Sequence, residues 1–207
     1  MHPNPAFRRP GDNRNIAFAR ERGFGFLTIA GPDGPLASHI PFVLDKTGST
    51  LAAHVVRSNP IWRLLKDGEA QALIVVSGPD GYVSPDWYEA DDQVPTWNYV
   101  AVHLRGALRL LPPERLRDHL VDISAEFEPR LLGKRPWTLD KMSEEPLARM
   151  MRTIAPVEMS ITSIDGTWKL NQNKPDDVRA RAAKAIRGSD IGVELDALAA
   201  LMQDPPP

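Results

Sequence analysis
The sequence predicts a mainly β, α+β fold: a small antiparallel barrel with helical additions. Three observations carry this expectation. About five or six short apolar runs follow one another at hairpin spacing, turn residues separate them, and helical periodicity gathers at their flanks and after them. That order favours an antiparallel meander over a parallel α/β sheet.

In chain order, Asp12 or Asn13 can cap a helix over residues 15–22, which Gly23 closes. Residues 24–29 read as a strand, bounded by the turn Gly31, Pro32, Asp33, Gly34. Residues 36–44 alternate, with Leu36, Ser38, Ile40, Phe42 and Leu44 on one face and His39, Pro41 and Val43 on the other. A third strand spans 51–56, and one or two helical turns span 59–66. Residues 70–76 are apolar on both faces, as a central strand is. The stretch 77–96 reads as a long loop, rich in Gly, Pro, Asp and aromatics. Residues 99–111 give the clearest strand: Val100, Val102, Leu104, Leu108 and Leu110 alternate with Tyr99, His103, Arg105 and Arg109. Pro112 and Pro113 then open a helix to about Phe127, a second follows Ser143, and 157–164 return to strand. After Pro175 come two amphipathic helices. One gathers Val178, Ala182, Ala185 and Ile186 on its apolar side, and the other gathers Ile191, Leu195, Leu198 and Met202.

Composition removes whole classes of function. With 207 residues the chain can bury a sizeable core without staples, and with no cysteine it has no disulfide, thiolate zinc site, iron–sulfur cluster or cysteine nucleophile. Twenty-five Lys and Arg against 27 Asp and Glu, a net charge of −2, remove the broad attraction that non-specific nucleic-acid binding uses. Arg8 and Arg9 are followed by no apolar leader segment, and no run is long enough to span a membrane, so a cytoplasmic location is expected.

No self-sufficient catalytic motif is present: there is no Walker loop, no G-x-G-x-x-G after a strand, no H-E-x-x-H and no G-x-S-x-G. The five histidines are scattered, and no metal site is expected. Three stretches stand out. In His54 to Trp62 a strand runs into a short helix, and Arg57 and Ser58 offer a bidentate donor and a hydroxyl suited to a phosphate. Read alone, the same turn is a helix cap. Pro95, Thr96, Trp97, Asn98 and Tyr99, with Trp87 and Tyr88 upstream, suit an interface, a planar ligand or a loop folded over the barrel end. Lys169, Leu170, Asn171, Gln172, Asn173 and Lys174 form a polar run that suits phosphate, ring carbonyls or solvent.

Taken in order, these stretches resemble the PaiB-like FMN-binding negative transcriptional regulator family. The resemblance rests on Ser38-His39-Ile40-Pro41, His54 with Asn59-Pro60-x-Trp62, Tyr82-Val83-Ser84-Pro85-x-Trp87-Tyr88, Pro95-Thr96-Trp97-Asn98-Tyr99 and Lys169-Leu170-x-Gln172-Asn173. It runs from the N-terminal helix to about Arg187. It implies an antiparallel split β-barrel of the FMN-binding type, shared with pyridoxamine-phosphate oxidases and flavin reductases, and a homodimer with FMN held between barrel and partner subunit. Residues 1–174 would form this domain. Residues 175–207 would be a helical extension packed on it, ending in a disordered tail, Pro205, Pro206 and Pro207. By the same resemblance the 54–59 junction meets the FMN phosphate through His54, Arg57, Ser58 and Asn59, and His39 and Pro41 lie near the isoalloxazine. Trp97, Asn98 and Tyr99 stand at the dimer seam, and Lys169, Gln172 and Asn173 complete the cofactor-binding set.

The family name implies repression through DNA or a protein partner. Yet no helix-turn-helix pattern is present, and the one concentrated basic face, Arg179, Arg181, Lys184 and Arg187, reads as a solvated helix side. Three functions therefore stay open: a regulator using flavin as a sensor, an NAD(P)H:flavin reductase-like oxidoreductase with redox-active FMN, and a haem-binding split-barrel relative. Catalytic residues are unassigned; His39 and His103 are the proton carriers at hand.

Overall fold
The computed structural model describes residues 2–8 and 10–206. Met1, Arg9 and the tail position Pro207 lie outside the described residues. The strands are β1 (Phe24–Gly31), β2 (Gly34–Leu44), β3 (Thr50–Val56), β4 (Ala70–Val83), β5 (Thr96–Leu110), β6 (Ile154–Lys169) and β7 (Gly192–Val193). The helices are α1 (Asp12–Arg22), α2 (Pro60–Leu65), α3 (Arg115–Phe127), α4 (Glu144–Met151), α5 (Asp176–Arg187) and α6 (Leu195–Gln203). The strand order is β1-β2-β3-β6-β5-β4-β7, and β1 also pairs with β4, so β1 to β6 close into a ring. This is the antiparallel split barrel, within an α+β chain.

Two compact units make up the chain: Ala19–Val75 with Leu104–Ser163, and Met1–Phe18 with Val76–His103 and Ile164–Pro207. The first holds the barrel. A β1–β2 hairpin runs from Phe24 opposite Pro41 to Gly31 opposite Gly34, and β3 pairs with β6 from Thr50 opposite Ser160 to Val56 opposite Ile154. Phe26 opposite Val75 through Ile29 opposite Ala72 closes the ring. Alternation decides which side chains enter: Leu27, Ile29, Ile40, Phe42, Leu51 and Leu104 are buried, whereas Phe24 and Phe26 stay exposed. Gly106 is required where β5 meets β6, because a Cβ there would lie 1.9 Å from the Ser160 carbonyl oxygen. α3 packs on β2 and β3, burying Leu116 and His119.

The second unit has its own core. Val83, Tyr88, Val100, Trp168 and Leu170 pack with Ala182, Ala183 and Ile186 of α5 and with Leu198, Ala199 and Met202 of α6. Trp168 anchors it: Nε1 donates to Asn15 Oδ1 at 2.9 Å, and Phe18 meets the indole edge-on at 5.3 Å.

The structure corrects several sequence boundaries. β4 continues to Val83 through the first residues of the stretch read as loop. Gly78 is a packing requirement rather than a turn, since a Cβ there would meet the Phe18 ring at 2.7 Å and Val100 Cβ at 2.9 Å. β6 runs from Ile154 to Lys169, well beyond 157–164, and β5 starts at Thr96. α6 begins at Leu195, leaving Ile191 exposed instead of on the apolar stripe. Arg179 is not solvated: its side chain is 13% exposed, Nε donates to the Met202 carbonyl at 2.9 Å, and Nη1 pairs with Asp176. Pro205 and Pro206 are half-buried. No helix among the described residues is long and apolar enough to cross a membrane.

Candidate functional site
The barrel unit carries the turn between β3 and α2. Asn59 is the helix cap: its Oδ1 accepts from the Ile61 N–H at 2.9 Å, and its Nδ2 donates to Ser38 Oγ at 3.0 Å, tying the turn to β2. Arg57 is fixed by its own N–H to the Thr153 carbonyl at 2.9 Å and by Nε to the Ile154 carbonyl at 3.1 Å. Its guanidinium lies 5.7 Å from the Trp62 ring centre, and Lys66 Nζ lies 5.2 Å from the same ring. Arg63 Nη2 reaches back to the Ser58 carbonyl at 3.4 Å. Among the described residues Arg57, Arg63 and Lys66 form no ion pair with an acidic side chain. The Ser58 side chain is exposed beside them.

The other barrel candidates differ. His39 is exposed, its ring 4.2 Å from that of Phe26 and 6.0 Å from that of Phe24. Pro41 is half-buried opposite Phe24. His54 points its Nδ1 to His119 Nε2 at 3.0 Å, and burial pushes its imidazole below the usual range.

In the second unit, Trp97 is 46% exposed and edge-on to Tyr82 at 6.3 Å. Asn98 is fully buried, with Nδ2 on Met202 Sδ at 3.4 Å and no partner for Oδ1 among the described residues. Tyr99 is half-buried and Asn173 exposed. Lys169 Nζ donates to the Trp97 carbonyl at 2.8 Å and to Thr96 Oγ1, and burial pushes the ammonium below its usual range. Gln172 is spent locally, its Oε1 accepting from the Leu170 N–H at 2.8 Å and its Nε2 donating to the Trp168 carbonyl. The structure thus brings Arg57, Ser58 and Asn59 together with Ser38, and Lys169 together with Thr96 and Trp97. Asn98 and Gln172 are turned to internal bonds.

Arg63 escaped the sequence reading, and Asn171 was read only as part of the polar run and left out of the cofactor-binding set. Arg63 lies in α2 five residues after Ser58, and only the fold of the turn brings its guanidinium back to the Ser58 carbonyl. Asn171, the variable position of the Lys-Leu-x-Gln-Asn run, is buried with φ 62°, and its Nδ2 donates to Tyr88 Oη at 3.2 Å. Asparagine tolerates that left-handed backbone, which was the available signal.

A family model described as "Putative FMN-binding domain" matches residues 1–163. The chain belongs to this family. The match ends before α5, so the Lys169 to Asn173 run lies beyond it. The protease synthase and sporulation protein PAI 2 of Bacillus subtilis (strain 168) is 30% identical over 159 residues, covering 76% of this chain and 75% of that protein. Among solved structures, an FAD and haem binding protein from Mycobacterium smegmatis aligns with TM-score 0.57 and 17% identity, covering 90% of this chain and 83% of that one. A flavocytochrome from Azotobacter vinelandii aligns with TM-score 0.52 and 14% identity, covering 81% and 72%. At these identities the likeness is one of fold.

The residues present fit the family's cofactor. An FMN phosphate needs cations not already matched by carboxylates, with hydroxyl and N–H donors beside them. The 57–59 turn offers Arg57 and the Ser58 hydroxyl, with Arg63 of α2 beside them, and neither arginine pairs with a carboxylate among the described residues.

Proposed function
We propose that this chain is a homodimeric, FMN-binding split-barrel protein that serves as a negative transcriptional regulator of the PaiB type, with flavin as its sensor or redox cofactor. The observation that carries the reading is the Arg57 guanidinium, held through Nε by the Ile154 carbonyl and matched by no carboxylate among the described residues. Arg57 and Ser58 hold the phosphate, while His54 and Asn59 set the frame of the turn. His39 and Pro41 lie beside the isoalloxazine, with Phe24 and Phe26 limiting water there. Trp97 and Tyr99 meet the partner subunit over buried Asn98, and Lys169, Gln172 and Asn173 complete that edge. Bound FMN supplies hydride or electron transfer.

Titration with FMN and with riboflavin tests this reading. Arg57→Ala is expected to weaken FMN binding roughly ten- to a hundredfold, the loss of a charge-assisted bond, and to leave riboflavin unchanged. Equal losses for both ligands would remove Arg57 from the phosphate site. The dimer is tested by sedimentation, with Trp97→Ala expected to weaken association by about 2 kcal/mol. A monomer at micromolar concentration in the unmodified protein would overturn it.

Regulation is proposed to run through a protein partner rather than direct DNA contact. Arg179, Arg181 and Arg187 are already paired with Asp176, Asp177 and Asp196, which leaves little charge for a phosphate backbone. Nanomolar, sequence-selective promoter binding by the isolated protein at physiological salt would refute this. The flavin-and-haem proteins of the same fold favour a haem-binding second reading, and a Soret band in the purified protein decides for it.

A further inference from the structure
Between β3 and α3 two imidazoles face each other in the barrel unit. His54 Nδ1 and His119 Nε2 are 3.0 Å apart, with ring centres at 5.2 Å and planes at 63°. His119 is 5% exposed, and its other nitrogen, Nδ1, is buried with no hydrogen-bond partner among the described residues. The bond needs a proton on one facing nitrogen and a lone pair on the other. One added proton puts a bare charge in a buried place, and a second makes both facing nitrogens donors and breaks the bond. No counter-charge offsets this. The charged groups on the surrounding elements are Arg115, Arg117, Asp118, Asp122 and Glu126 on α3, Arg57 after β3 and Glu158 on the stretch of β6 paired with β3, with His39 the other titratable group on β2. Glu158 is bonded to Arg109 and Glu126 to Arg130, and no described carboxylate accepts from either imidazole.

We propose that the His54–His119 pair is an acid-released latch, holding α3 on β2 and β3 at neutral pH and letting it go on mild acidification. The proposal is independent of the flavin reading. Burial, and then the charge of His54, bring His119 from 6.5 down to about 4. For a base the sign is clear: the docked state resists the proton, so docking is at full strength above pH 6.5 and weakens as pH falls towards 4. His119 alone shifts the undocking equilibrium about tenfold between pH 7.5 and pH 5.5.

Hydrogen exchange of the full chain, read by mass spectrometry and corrected for intrinsic rates, tests the latch. Peptides covering α3 are expected to lose about tenfold in protection from pH 7.5 to 5.5, while those from the barrel part of β5 hold theirs. His119→Phe, which keeps a ring but cannot take a proton, should remove the roughly tenfold share of the pH dependence that His119 contributes. Unchanged α3 protection, loss in step with β5, or the same pH dependence in His119→Phe would each overturn the proposal. If that variant does not fold, the His119 imidazole signal of the unmodified protein decides by NMR: neutral through pH 5.5 supports the latch, and titration near 6.5 ends it.

Discussion
The turn at Arg57 to Asn59 and the segment Lys169 to Asn173 look alike as sequence, each a short polar run after a strand, yet they commit their polar groups in opposite ways. In the turn, the Asn59 side chain and the Arg57 N–H and Nε build the frame, while the rest of the Arg57 guanidinium and the Ser58 hydroxyl keep hydrogen-bonding capacity for something outside the chain. In the segment, Lys169, Asn171 and Gln172 all bond to groups of their own unit. The difference teaches that a motif residue can matter because it holds the backbone rather than because it touches a ligand.

Substitutions can break or sharpen that contrast. The largest effect is expected from Trp168→Ala, which empties the centre of the second unit and should cost about 3–5 kcal/mol in denaturant unfolding. FMN affinity, measured where the variant is folded, should change far less. Arg57→Ala should do the reverse, losing about 1.5–3 kcal/mol of FMN binding while stability moves by less than about 1 kcal/mol. A large fall in stability with intact FMN binding would place Arg57 in the frame instead. Gln172→Ala removes two local bonds and should lower stability by about 1–2 kcal/mol with FMN affinity unchanged. The smallest effect belongs to Asp45, an exposed turn residue with no part in either cluster. Bonds from Thr47, then Thr50 and Ser49, hold its carboxyl at about 2, below its ordinary 3.8. Since the native state favours the ionised form, the contribution is complete above pH 3.8 and disappears as pH falls through about 2. Asp45→Ala should therefore differ slightly from the unmodified protein at pH 6, and the gap should close towards pH 2. Solvent screening keeps it small.

Much of the barrel was legible because a half-buried strand writes its alternation into the chain: β1, β2, β3 and β5 follow period two closely. The far half of β4 was not, since Gly78, Pro79 and Gly81 compose like a loop and become strand only through packing and through Asp80 and Gly81 pairing with Val193 and Gly192. β7, at two residues, has no local pattern to read. Of the candidate residues, the cap at Asn59 was visible from its spacing to Pro60. The burial of Asn98 under Met202 and the meeting of His54 with His119 depend on partners far along the chain, so no local pattern announces them.

The pairing of β3 with β6 has a consequence for how the molecule is made. Thr50 waits for Ser160, and Val56 for Ile154. During synthesis from the N-terminus, the β1–β2–β3 meander can therefore form early while β3 keeps a bare hydrogen-bonding edge until β6 has left the ribosome. Closing so long a loop is slow compared with hairpin formation, and a bare edge invites the wrong neighbour. The nascent chain is thus most exposed to aggregation in the interval between completing β3 and completing β6.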